Sequence, residues 1–154
     1  MTVLRTTTLV HAPAELVFDL ARDVDEHTAG LAHTGERTVA PGVRHGRLGF
    51  GDLVCFRARH LGVRWRLEAR IVAFDRPHRF VDEQVRGPFA ALRHSHTFVA
   101  TGAGTLVTDE IAWTSPAGPL GVLVDGVILR GYLLRVLTAR NAHLKRRAEV
   151  LARR

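Results

Sequence analysis

Between Leu53 and Thr114 the chain reads as five consecutive extended segments separated by little more than turns. They run Leu53 to His60, Val63 to Phe74, Arg79 to Arg86, Leu92 to Ala100 and Thr105 to Thr114. Leu61-Gly62, Gly87-Pro88 and Gly102-Ala103-Gly104 mark turns between them, so the spacing predicts an antiparallel meander. Side chains alternate faces along a strand, which gives each segment two readable sides. Val63, Trp65, Leu67, Ala69 and Ile71 share one side, and Arg64, Arg66, Glu68 and Arg70 the other. Val54, Phe56, Ala58 and His60 point in, with Arg57 and Arg59 out. Val107, Asp109, Ile111 and Trp113 also point in. A sheet apolar on one side needs a cover. Only the helical pattern from about Pro119 to Ala152 is large enough. Its expected inner stripe is Leu120, Leu123, Val127, Leu134, Leu137, Leu144 and Leu151, with Gly126 and Gly131 marking a kink or a close approach.

Ahead of the meander, Val3 to Val10 reads as a strand, and Pro13 opens a helix carrying Leu16, Val17, Leu20 and Ala21. Asp23 to Leu31 reads as a second short helix capped by Asp23 or Asp25. Glu36 to Ala40 reads as a short strand, and the Gly-rich segment Pro41 to Asp52 as a loop. No repeat or linker divides the 154 residues, so one domain over 1–154 is expected. The single cysteine, Cys55, leaves no internal disulfide and no cysteine zinc site. No signal peptide pattern opens the chain and no apolar run spans a bilayer, so a cytoplasmic protein without membrane insertion is expected. The net charge of +7 is almost wholly arginine, Lys145 being the only lysine. Such charge attracts polyanions, but no helix-turn-helix, zinc-finger or RNP pattern accompanies it, and no specific nucleic-acid partner is expected. Arg57, Arg59, Arg64, Arg66 and Arg70 read as a solvated face balanced by Glu68 and Glu83, or as an interaction surface.

The segment Phe80 to Phe98, FVDEQVRGPFAALRHSHTF, departs from the pattern. As a hairpin it places Phe80, Asp82, Gln84, His94, His96 and Phe98 on the face that should be apolar. With Arg86 opposite Leu92, Gln84 faces His94 and Asp82 faces His96. Asp109 on the next strand approaches His96 from the other side. A histidine held by a carboxylate is a candidate acid or base, so His96, Asp82 and Asp109 are the catalytic candidates. The same groups equally suit ligand orientation, or internal pairing and nothing more. The expected ligand-lining set is His60, Trp65, Asp82, Gln84, Arg86, His94, His96, Asp109 and Trp113, with Arg86 placed to hold an anionic group. His94 and His96 with His60 or Asp82 would supply three metal ligands, but no fourth is evident and no metal or other cofactor is expected.

One strand, two short helices, a six-strand meander and a long final helix follow the order of the helix-grip fold. The chain resembles the SRPBCC superfamily (START-like, polyketide cyclase/dehydrase and lipid-transport proteins). The local matches are TGERTV at Thr34–Val39, GDLVCFRARHLGVRWRLEARI at Gly51–Ile71, FVDEQVRGPF at Phe80–Phe89 and RHSHTF at Arg93–Phe98. The resemblance implies an α+β helix-grip fold, a curved antiparallel sheet of about seven strands around the C-terminal helix. It further implies a cavity for a small apolar or amphipathic molecule, in a bacterial protein. Two functions remain open on that scaffold, a ligand carrier and a polyketide cyclase or dehydratase, because the superfamily hosts both. Homodimerisation also remains open.

Overall fold

The computed structural model describes residues 1–154. Seven strands form one antiparallel sheet in the order β1-β7-β6-β5-β4-β3-β2. They are β1 (Thr2–Val10), β2 (Arg37–Thr38), β3 (Leu53–His60), β4 (Val63–Asp75), β5 (Arg79–Arg86), β6 (Ala91–Thr101) and β7 (Gly104–Thr114). Between β1 and β2 lie helices α1 (Ala14–Ala21) and α2 (Val24–Gly30) and a 3₁₀ turn at Ala32–Thr34. Pro13 precedes the first turn of α1, and Asp23 caps α2 by accepting from the backbone N–H of Asp25 and Glu26. After β7 the chain is helical from Gly118 to Ala152: α3 (Gly118–Val124), a π turn (Asp125–Leu129) and α4 (Arg130–Ala152). This is the helix-grip arrangement.

The main core lies where α1 and the C-terminal part of α4 meet the sheet. Phe18 of α1 sits edge-on to Phe74, Phe80 and Phe98, with ring centroids 5.4, 5.4 and 5.2 Å away. Three T-shaped contacts on one ring add to its burial, each worth about 0.5–1.5 kcal/mol. Asp19 beside it receives Arg22, Arg47 and Arg76, which pins α1 to the 41–52 loop and to the β4–β5 turn. The hydrogen bond from Arg76 leads in holding its carboxyl down at about 2, against the cost of burial. The 41–52 loop is likewise tied down: Leu48 is buried, and the Gly51 N–H and Asp52 carbonyl bond to Ile71.

The other end is different. A smaller cluster of Leu4, Ile111, Trp113 and Leu137 packs there with Phe89, Leu92, Leu129 and Leu133. Along β4, Ala69 and Ile71 are buried, Leu67 and Trp65 half-buried and Val63 exposed, so cover thins toward the β3–β4 turn. The predicted helical stripe holds for Leu137 and Leu144, with Leu151 half-buried. It fails for Leu120, Leu123, Val127 and Leu134, which are all exposed. For Leu120, Leu123 and Val127 the reason is the π turn: one extra residue shifts the buried face by roughly 100° relative to an uninterrupted α-helix, while Leu134, already within α4, lies to one side of the stripe through Leu137 and Leu144. The packed side there instead carries Gly121 of α3 and Asp125 of the π turn, and the Ser115 hydroxyl donates to Asp125. Gly121 is required there, since a Cβ would lie 2.8 Å from the Ser115 side chain.

Candidate functional site

Three neighbouring strands and α4 build the polar cluster. β5 supplies Asp82, β6 supplies His94 and His96, β7 supplies Asp109, and α4 adds Arg140 and Asn141. The β5–β6 register differs from expectation by two residues: Phe80 lies opposite His96 and Asp82 opposite His94. A shift of two leaves every side chain on its predicted face. His96 still reaches Asp82, now diagonally, donating Nε2–H to Oδ2 at 3.0 Å. Its other nitrogen, Nδ1, donates to Asp109 Oδ1 at 2.8 Å, directly across the β6–β7 pair.

Asp109 is the hub and is fully buried. Its Oδ1 also accepts from His94 Nε2 at 3.1 Å and from Arg140 Nη2 at 2.8 Å, and Asn141 Nδ2 donates to Oδ2 at 2.7 Å. Burial opposes its charge, but Arg140 and the two histidines outweigh that and hold the carboxyl well below its usual range. Burial also acts on both imidazoles, and they diverge. Desolvation, with a neighbouring His96, pushes His94 down to about 4. For His96 desolvation is outweighed by the hydrogen bonds to Asp109 and Asp82, and its pKa is raised. The rings lie 3.8 Å apart, so the positive charge of one disfavours a second proton on the other. Phe80 stacks on His96 at 4.2 Å and closes that side. Asp82 is lowered too, where His96 and the positive charge around it overcome burial. Its side chain is 21% exposed, whereas that of Asp109 is not exposed at all. The network thus runs from a dry anchor, Asp109, through His96 to an outlet at Asp82.

The remaining sequence candidates divide. Gln84 does not face His94: its amide accepts from Phe89 N–H at 3.3 Å and donates to Phe89 carbonyl at 2.8 Å, closing the β5–β6 turn. Arg86 leaves the inner face. The β4–β5 pairing slips between Glu68 and Ala69, which puts Arg86 opposite Glu68, where it shares a surface depression with Arg66. Trp113 is core, wholly buried, with its Nε1–H unpartnered. His60 Nδ1 pairs with the Tyr132 hydroxyl at 2.6 Å, tying the end of β3 to α4. Burial lowers the pKa of His60. Trp65 is half-buried and donates Nε1–H to the His60 carbonyl at 2.9 Å. Asp82, His94 and His96 bring their ligand atoms within 4.8 Å of one another, a spacing a divalent ion would accept, while His60 is engaged elsewhere.

Arg140 and Asn141 were missed by the sequence reading, although a signal was present. They sit three and four residues after Leu137, on the stripe it shares with Leu144. Their side chains reach from α4 into the space expected between sheet and helix, where they meet Asp109. A separate cleft beside Arg140, between α1, α2 and α4 and bounded by Leu20, His27, His143 and Leu144, holds about 10 Å³. That is room for one water. The helix α4 packs mainly on β1, α1 and α2, so the inner face of β4 and β5 beyond the network stays partly open.

The family model described as polyketide cyclase / dehydrase and lipid transport matches residues 1–149. The chain belongs to this family. Solved structures share the fold at low identity. TTHA0849 from Thermus thermophilus is 19% identical, with a TM-score of 0.73, 93% of this chain covered and 97% of that one. A START superfamily protein from Mycobacterium smegmatis is 14% identical, with a TM-score of 0.71 and coverage of 97% and 98%. The di-domain ARO/CYC BexL from the BE-7585A biosynthetic pathway is 21% identical, with a TM-score of 0.74 over 96% of this chain and 50% of that one. No curated protein matches by sequence. No helix is long and apolar enough to cross a membrane. For this polyketide cyclase/dehydrase and lipid transport family member, the likeness to these structures speaks to the fold, and activity has to be argued from the site.

Proposed function

We propose that the protein binds a small apolar or amphipathic molecule along the open inner face of β4 and β5, with its polar end at Asp82. One observation carries this reading. The Asp109–His96–Asp82 ladder is anchored in a dry interior by Arg140 and Asn141, yet its last carboxylate is partly exposed. Trp65 and Leu67 extend that strip with half-buried apolar surface, and His60 and Tyr132 bound it. A purely structural network would have no use for a partly exposed terminus on a strip of half-buried apolar side chains. Native mass spectrometry of protein isolated from its own host tests the proposal. A co-purifying molecule that is lost on Trp65→Ala supports it. A bare protein mass, together with no binding of an apolar fluorescent probe, overturns it.

A second reading follows from the same ladder. An imidazolium between two carboxylates can pass a proton to a ligand carbonyl through Asp82, which is the step that cyclisation or dehydration of a poly-carbonyl chain requires. The structural likeness to an ARO/CYC di-domain agrees with it. His96→Ala and Asp82→Asn separate the two readings. A carrier keeps its ligand with modest loss of affinity. An enzyme keeps binding but loses turnover by about 100-fold or more.

A further inference from the structure

The outer face of the sheet is not uniformly charged. On its β5–β6–β7–β1 side, opposite charges meet across strands. Glu83 pairs with Arg93 and lies opposite Arg70, and Arg5 lies opposite Glu110. The β2–β3–β4 side is built the other way. Arg57 lies directly opposite Arg66 and also opposite Arg37, and Arg59 lies directly opposite Arg64. Like charges in directly opposed positions are destabilising. Arg37, Arg57, Arg59 and Arg64 are exposed, and none makes an ion pair. Glu68, on the same strands, is buried and occupied by Arg66, and Glu36, next to Arg37, is engaged by His27. A bulge turns Arg86 toward the same side.

We propose that this β2–β3–β4 face docks an acidic helix of a partner protein. Directly opposed Cβ atoms on a sheet stand about 4.5–5.5 Å apart. Carboxylates at i, i+3 and i+4 on a helix stand about 5–6 Å apart, a matching spacing. Guanidinium groups bind carboxylates in bidentate fashion, which suits a face whose exposed charges are arginines. The face is poorly made for other anions. Single-stranded nucleic acid is held by aromatic stacking, but Phe56 and Trp65 of these strands belong to the inner side. A bilayer surface is held by inserted apolar side chains. Along the strands none stands exposed among these arginines: Cys55 is buried, the exposed Val63 shares the inner side with Trp65, and the exposed Leu61 is a single side chain in the β3–β4 turn.

The test uses the full chain and a fluorescent alanine-based peptide with Glu at i, i+3 and i+4. Controls are the same peptide interrupted by proline, a single-stranded oligonucleotide, and vesicles containing phosphatidylserine. The helical peptide should bind at least about 10-fold more tightly than the interrupted one. Arg57→Glu and Arg64→Glu should each weaken binding about 10-fold and at the same time raise the melting temperature, because each replaces an Arg–Arg pair by an Arg–Glu pair. Equal binding of the interrupted peptide overturns the proposal, as does binding unaffected by either reversal. Tighter binding of the oligonucleotide or the vesicles than of the helix also overturns it, in favour of that partner. The rise in melting temperature shows that lost binding is not lost fold.

Discussion

The two faces of the sheet handle charge in opposite ways. On the inner face every ionised group of the network is matched: Asp109 by Arg140 and two histidines, His96 by two carboxylates. On the outer face of β3 and β4 Arg57 opposes Arg66 and Arg59 opposes Arg64, and of these four only Arg66 has an acid, the buried Glu68. The difference follows from solvent. A buried charge without a partner costs several kcal/mol, whereas water screens an exposed like-charge pair to a fraction of that. Mutations should therefore cost most where the charges are dry, and reversals outside should even stabilise.

Asp109→Ala should do the most damage. It strands Arg140 and His96 in a buried site, for a loss of about 3–5 kcal/mol in urea unfolding. A loss under about 1 kcal/mol would mean the interior is wet and the contrast between faces is false. The pH dependence comes next. His94 takes up a proton near 6.5 when unfolded but only near 4 when folded. The unfolded chain binds more protons in that window, so stability should fall as pH drops from about 6.5 to about 4, by at most about 3 kcal/mol. His96 is shifted upward, so its contribution is complete below pH 6.5 and is lost as pH rises through its folded value. His94→Gln should flatten the acid limb alone, read from urea midpoints across pH. Below that window Asp19 takes over, losing its contribution between 3.8 and about 2.

Gln84→Ala should cost about 1–2 kcal/mol through the two hydrogen bonds to Phe89, with no change in the pH profile. A changed profile would show that Gln84 touches the network after all. The smallest effect belongs to the outer face. Arg57→Glu should raise stability by about 0.2–1 kcal/mol, and the gain should shrink in high salt. If thermal melts show a loss instead, the arginines are paired in solution and the face is not under repulsion.

Much of this architecture was legible beforehand. The strands β3 and β5 fell at their predicted limits because short extended segments between Gly- and Pro-marked turns leave little freedom. The faces were legible too, and they survived a register error in β5–β6 because the error was even. What alternation could not reveal was a bulge. Arg86 was misplaced by one slip at Glu68, and the first half of the C-terminal stripe by one extra residue in a π turn. Arg140 and Asn141 lay in plain view on a leucine stripe, but polar residues there are read as solvent-facing until something is seen to receive them.

By itself the sequence determined which side chains share a face, and so which strands must be covered and where polar residues would be stranded. Those outcomes rest on local periodicity, which is a property of neighbours in the chain. Only the tertiary structure decided that Asp109, rather than Asp82, is the hub, and that α4 delivers the cation making it so. It also decided that the pKa values of the two histidines are shifted in opposite directions. Their environment depends on which buried groups are brought within about 3–4 Å from distant parts of the chain, and no spacing in the sequence encodes that distance.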